Sequence, residues 1–180
     1  MDNQQCQLWF SQDFVPTVLQ SNLKQEVDDK TILHWSLHGS RFLNLAYPES
    51  DIDIVIIVNN KIDIKDQCQI LAKLGSEVEL TPRTKRPIVC LDKQGLPKIE
   101  VCIYTHDLYV QWYLHNTRSI AKWTPEERKV YITKMRQCFL DKDDAGKQKL
   151  KRWAYFELED VQDLSLQNRQ EFDARYLFSR

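Results

Sequence analysis

Two aspartates, Asp51 and Asp53, interrupt an otherwise apolar run, and this constrains the chain more than any other feature. The stretch from Leu37 to Val58 reads LHGSRFLNLAYPESDIDIVIIV. Asp51 to Val58 is β-branched and predicts a strand buried on both faces except where the aspartates project. Residues two apart in a strand point to the same face, so both carboxylates emerge together. Like charges so placed repel, and the arrangement is costly unless a cation neutralises it. Magnesium prefers such hard oxygen ligands, combined with phosphate oxygens and water. Upstream, Thr31 to His38 predicts a strand with Leu33, Trp35 and Leu37 on one face. It ends at a tight turn, Gly39-Ser40, followed by a short helix. Gly39 permits close backbone approach, and the amides after it are placed to hydrogen-bond a phosphate, with the Ser40 hydroxyl beside them. A lone D-x-D is common and a lone Gly-Ser commoner. The combination of strand, Gly-Ser turn, about ten residues and a D-h-D opening a buried strand is far more specific.

The flanking sequence predicts a sheet to carry this pair. Pro16 to Val27 places Val18, Leu19, Leu23 and Val27 at helical intervals, with Pro16 suited to a first turn. Asp63 to Leu74 predicts a helix stopped by Gly75. Short strands are expected over Glu77 to Leu80, Arg86 to Asp92 and Lys98 to Tyr104. The last two are joined as a hairpin through Lys93-Gln94-Gly95. Strands and helices mixed around one sheet define an α/β (α+β) architecture. From Thr124 the texture changes. Thr124-Pro125-Glu126-Glu127 is a capping box with proline at the first helical position. Its helix is expected to run to about Asp141 and bury Val130, Ile132, Met135 and Phe139. A second helix, Asp144 to Glu159, would carry Leu150, Trp153, Ala154 and Leu158 on one side. The two would form a helical hairpin, packed on the sheet domain or against a partner.

Composition narrows the classes. At 180 residues, 42% hydrophobic and 28% charged, the chain has room for one globular domain with a helical appendage. A net charge of −1 excludes a uniformly basic nucleic-acid-binding surface but leaves room for a local basic groove. The five cysteines, Cys6, Cys68, Cys90, Cys102 and Cys138, contain no C-x-x-C pair. They are expected to be reduced thiols in an intracellular, cytoplasmic setting, with Cys90 and Cys102 as small core residues. The four histidines have no zinc spacing, and His38 is expected in the core or at the rim. No secretory signal is evident, and no apolar run is long enough to span a bilayer, so no membrane association is expected.

The GSR of Gly39 to Arg41 and the PESDIDIVII of Pro48 to Ile57 together resemble the signature of the DNA polymerase β nucleotidyltransferase superfamily. The resemblance covers about Thr31 to Ser119. It implies a polymerase β-like palm with a mixed sheet in residues 1–120, followed by a helical region in 121–180. It also implies a third carboxylate on a later neighbouring strand. Glu100 in KIEVCIY answers that description, where the family more often has aspartate. Glu77 and Glu79 in SEVEL are rivals whose position fits less well. ELTPRTKRPIVCLDKQGLPKIEVCIY (Glu79 to Tyr104) is similar to the corresponding stretch of non-canonical poly(A) polymerases and terminal uridylyltransferases. LHNTRSI (Leu114 to Ile120) resembles a helix of those enzymes in which an asparagine-threonine pair lies near the nucleotide, which makes Asn116 and Thr117 candidates. Many bacterial relatives have glycine where this chain has Asn44. Asparagine tolerates left-handed geometry better than most residues, so the turn is expected to survive.

The implied activity is in-line transfer of a nucleoside monophosphate from a nucleoside triphosphate to an acceptor hydroxyl, releasing pyrophosphate. Asp51, Asp53 and Glu100 would be metal ligands and catalytic residues for Mg2+ or Mn2+. Gly39, Ser40, Arg41, Asn116 and Thr117 would contact the nucleotide, with Lys85 and Arg86 as further phosphate or acceptor contacts. An RNA 3′ end is the first expectation for the acceptor, favoured by basic clusters at Arg83 to Arg86 and Lys147 to Arg152. A protein partner or oligomer through the C-terminal helices would complete a short helical region. A small-molecule or protein acceptor is the second reading. A catalytically inactive scaffold is the third, and the repelling acids argue against it. The base, the acceptor and the oligomeric state are not written in the sequence.

Overall fold

A computed structural model describes residues 1–75, 77–81 and 86–154 of the chain. The expectations for Arg83, Lys85, Leu158, the second helix beyond Ala154 and the side chain of Trp153 fall outside what it describes. Met1–Asp107 forms one compact unit, and the described residues from Leu108 to Ala154 belong to a second.

The first unit is built on a five-stranded mixed sheet. Its strands are β1 (Ile32–Leu37), β2 (Ile52–Val58), β3 (Val78–Leu80), β4 (Pro87–Leu91) and β5 (Ile99–Thr105), in the order β1-β2-β5-β4-β3. β1 runs antiparallel to β2, β2 parallel to β5, and β4 antiparallel to both β5 and β3. The predicted hairpin between β4 and β5 is present. It turns at Gly95, which has φ 83° and so needs a residue tolerant of left-handed geometry. The mixed α/β architecture expected from the sequence is therefore the observed one.

One face of the sheet carries the core. Ile52, Ile54, Ile56 and Val58 of β2 join Ile99, Val101 and Ile103 of β5 and Val89 of β4 in a single buried cluster. That face is covered by α1 (Asn3–Trp9), a π-helical segment (Phe10–Leu19) and α5 (Ile64–Ala72), through Cys6, Trp9, Phe14, Val15, Leu19, Ile70 and Leu71. α5 starts on an Asp63 cap that accepts from the Asp66 amide at 2.8 Å. Gly75 follows its end with φ 82°, as the stop signal implied.

Two local expectations are corrected. Pro16 does not open a helix but lies inside the π-helical segment, after a helix that starts on an Asp2–Gln5 capping box. A proline lacks the amide of an α-helical turn, and a wider turn accommodates that loss. The chain then continues through α2 (Gln20–Asn22) and α3 (Lys24–Asp28). In β1, Leu33 does not share the inner face with Trp35 and Leu37. The register shifts between Ile32 and His34, so Ile32 turns inward and Leu33 is left 46% exposed.

α6 (His106–Ile120) starts at the last two residues of the first unit, and α7 (Pro125–Leu140) and α8 (Asp144–Ala154) follow it in the second. The Thr124 capping box and the proline at the start of α7 are as read. The inner face of α7 is carried by Tyr131 and Met135, whereas Val130 and Phe139 are exposed, which corrects the expected stripe. Tyr131 meets Trp123 edge to face, with ring centroids 5.5 Å apart, and both rings are buried. No helix among the described residues is long and apolar enough to cross a membrane.

Candidate active site

Ile52 is fully buried in the core cluster, so the alternation of β2 puts its neighbour Asp53 on the opposite face. Across the parallel pair, Asp53 is in register with Glu100 of β5. Paired strands lie about 4.8 Å apart, so these two acids are lateral neighbours on one surface. The rivals are excluded by topology: β3, which holds Glu79, is separated from β2 by both β5 and β4, and Glu77 lies before it. Asp51 immediately precedes β2 and is exposed, while Asp53 is half-buried.

The Gly-Ser turn is fitted to Asp53. Gly39 has φ 57°, and a Cβ built on it would lie 2.4 Å from Asp53 Oδ2. No side chain fits there, so the carboxylate lies directly against the glycine backbone. The His38 amide donates to the Asp53 carbonyl at 2.8 Å, tying the end of β1 to the same residue. Gly39–Phe42 forms a single turn of helix, α4, with Ser40 half-buried within it. The chain then passes Asn44 at φ 57°. Asparagine thus occupies the left-handed position expected of it, and its Oδ1 accepts from Asn3 Nδ2 at 2.6 Å.

Arg41 takes a different place from the one its sequence position suggested. It is 1% exposed, and its guanidinium donates to three main-chain carbonyls. Nε reaches Asp51 O at 3.0 Å, while one terminal nitrogen reaches Ser50 O at 2.6 Å and the other Met1 O at 3.2 Å. A guanidinium so engaged fixes the backbone that presents Asp51. Arg86 is likewise buried, with its guanidinium 4.4 Å above the Tyr104 ring. Tyr104 in turn packs against His38, with centroids 5.9 Å apart. Asn116 and Thr117 belong to the second unit. In α6, Asn116 Nδ2 donates to Trp112 O at 3.1 Å and Thr117 Oγ1 to Tyr113 O at 2.6 Å. The acids and the Gly-Ser turn are assembled wholly within the first unit.

The electrostatics of this surface follow its burial. His38 is buried, and desolvation pushes its ring down to about 3, so the imidazole is neutral. Cys102, one pleat beyond Glu100, has its thiol held protonated chiefly by desolvation, with Asp53 and Glu100 adding to the upward shift. Cys90, in register with Glu100, is exposed and so not the core residue it was expected to be. Lys98 forms an ion pair with Glu100. The hydrogen bond to Glu100 raises the Lys98 pKa, with smaller contributions from Cys90 and Asp51. Lys98 is the residue that sequence reasoning missed. Its signal was present, since a lysine two positions before Glu100 shares its face.

Carboxylate oxygens from Asp51, Asp53 and Glu100 are the donor set a hard divalent cation takes. The glycine contact that keeps any side chain off Asp53 suits such an ion and its phosphate ligands. Among the described residues, no three histidine, cysteine or acidic side chains stand close enough to grip a metal ion as they are.

Residues 21–108 match the family described as polymerase beta, nucleotidyltransferase. No curated protein matches the chain. Among solved structures, terminal uridylyl transferase 4 from Trypanosoma brucei with bound dUTP is similar at 23% identity and a TM-score of 0.33, over 59% of this chain and 42% of that one. The polymerase core of TRAMP, an RNA surveillance complex, is similar at 21% identity and a TM-score of 0.38, over 72% and 46%. A cytoplasmic RNA terminal U-transferase is similar at 16% identity and a TM-score of 0.30, over 66% and 41%. The chain spans less than half the length of each of these three.

Proposed function

We propose that this chain, whose residues 21–108 match the polymerase beta nucleotidyltransferase family, transfers a nucleoside monophosphate from a nucleoside triphosphate to an acceptor hydroxyl. An RNA 3′ end is the first acceptor to test. The observation that supports the reading best is the Asp53 carboxylate held against Gly39 while in register with Glu100. Asp51 and Asp53 are the residues that would hold Mg2+ or Mn2+, with Glu100 as the third ligand. When bound, such ions neutralise the triphosphate and stabilise both the attacking and the leaving oxygen.

The chain's own residues do the rest. Gly39 and the amides of α4 face the phosphates, with the Ser40 hydroxyl beside them. Arg41 holds the Asp51 main chain so that the two aspartates keep their spacing. The acceptor hydroxyl attacks the α-phosphorus in line, its proton passes to Glu100, and the bond to pyrophosphate breaks. The neutral His38 and the protonated Cys102 add no charge beside the acids.

RNA as acceptor draws on the basic residues of α8, Lys147, Lys149, Lys151 and Arg152, which suit a phosphate backbone. The test is incubation with each labelled nucleoside triphosphate, Mg2+ or Mn2+, and oligo(A) RNA or cell extract. A ladder on the RNA, absent from the Asp53→Ala protein, is the expected result. A labelled protein or small molecule would move the acceptor but keep the chemistry. No labelled product with any triphosphate, or full activity in Asp53→Ala, would overturn the proposal.

A further inference from the structure

Lys98 pairs its ammonium with Glu100 and stands one register step from Asp51. It directly precedes β5, and its carbonyl accepts the Ile52 amide at 2.8 Å, which locks the starts of β2 and β5 together. In the parallel register Ile52 pairs with Ile99 and Asp53 with Glu100, so one step back sets Lys98 beside Asp51. Two residues along its own strand is Glu100, on the same face, and the Lys98 ammonium is paired with that carboxylate. The Lys98 side chain is 50% exposed and that of Glu100 27%, so the pair is open to solvent and to an incoming ligand. Glu100 is thereby committed to an ammonium, in a unit where no three acidic, histidine or cysteine side chains among the described residues are gathered for a metal.

We propose that Lys98 is a resident counter-ion that holds Glu100 until a divalent cation arrives, and so sets how tightly the site takes metal before nucleotide binds. This rests on the metal-dependent reading of Asp51, Asp53 and Glu100 given above. Without an ion, like-charged carboxylates at the start of β2 and β5 repel, and a neighbouring ammonium relieves that repulsion. A divalent cation must then displace the ammonium from Glu100 as well as shed water, which weakens binding of the metal alone. The released ammonium is a positive charge beside the acids, where it favours the anionic triphosphate. Metal and nucleotide therefore bind more tightly together than separately, a coupling that is reciprocal by linkage. Lys98 is in this sense a positioning residue: it acts through Glu100.

The test is direct binding of Mn2+ to the intact chain, read by electron paramagnetic resonance without nucleotide. An exposed ion pair contributes modestly, so Lys98→Met should tighten Mn2+ binding by up to about fivefold, with Lys98→Arg close to the parent. In the double variant Lys98→Met/Glu100→Gln the gain should vanish, because both changes act on one pair. Adding a non-hydrolysable triphosphate should improve Mn2+ affinity less in Lys98→Met than in the parent. Lys98→Gln serves in place of Lys98→Met if the latter fails to fold, as judged by circular dichroism. Unchanged Mn2+ affinity in the charge-removing variant, or a gain that persists without Glu100, would overturn the role of Lys98. Asp53→Ala separates the two readings. If it loses Mn2+ while Lys98→Met matches the parent, only the inference about Lys98 fails. If Asp53→Ala binds Mn2+ like the parent, the metal site itself is misassigned.

Discussion

The two faces of the β2–β5 pair are built for opposite ends. On one, Ile52, Ile54, Ile56, Ile99, Val101 and Ile103 alternate without a polar atom in their side chains and are all 0–1% exposed. On the other, Asp53, Glu100 and Cys102 share the surface with Val55 and Tyr104. The acids are confined to the beginnings of the two strands, next to the Gly39 turn. The apolar face supplies the stability that lets the other hold like charges together. Where a strand pair is this well anchored on one side, the opposite side can carry groups that would not assemble by themselves.

Changes on the two faces should accordingly break different properties. Ile54→Ala on the core face should cost about 2–5 kcal/mol in urea unfolding through lost transfer energy and a cavity. Its activity should follow the folded fraction. Asp53→Ala on the other face should cut transfer by about 10²–10³-fold or more, the scale on which loss of a major electrostatic contact is measured. Its unfolding midpoint should be no lower than the parent's, since a repelling charge is gone. Arg41→Met tests the link between stability and presentation of the acids. Removing the donors to the Ser50 and Asp51 carbonyls should cost roughly 1–3 kcal/mol by urea denaturation. Asn44→Ala, at the left-handed residue beyond α4, should cost about 1–2 kcal/mol in the same measurement, with Asn44→Gly costing less.

The core face was legible because β-branched runs bounded by turn residues admit few alternatives, and β2 and α5 lie within a residue or two of where the pattern put them. The pairing of Asp53 with Glu100 needed strand order, which no local pattern encodes; once β3 is known to be the edge strand, Glu79 drops out. Leu33 was misread because a bulge breaks the period of two on which face assignment depends. Pro16 was misread because it lies within a π-helical segment of a helical run that begins well before it, so the proline marks no helix start there. An arginine after a Gly-Ser turn looks like a phosphate contact in one dimension. Only the fold reveals that three carbonyls surround it.

The central claim, that Asp51 and Asp53 are brought together to hold divalent cations and a triphosphate, is tested most directly by anomalous diffraction. Crystals would be soaked with Mn2+ and a non-hydrolysable nucleoside triphosphate. The account predicts manganese density between the Asp51 and Asp53 carboxylates, with the phosphates against Gly39. Nucleotide bound elsewhere, or the two carboxylates facing away from each other with no manganese between them, would contradict it.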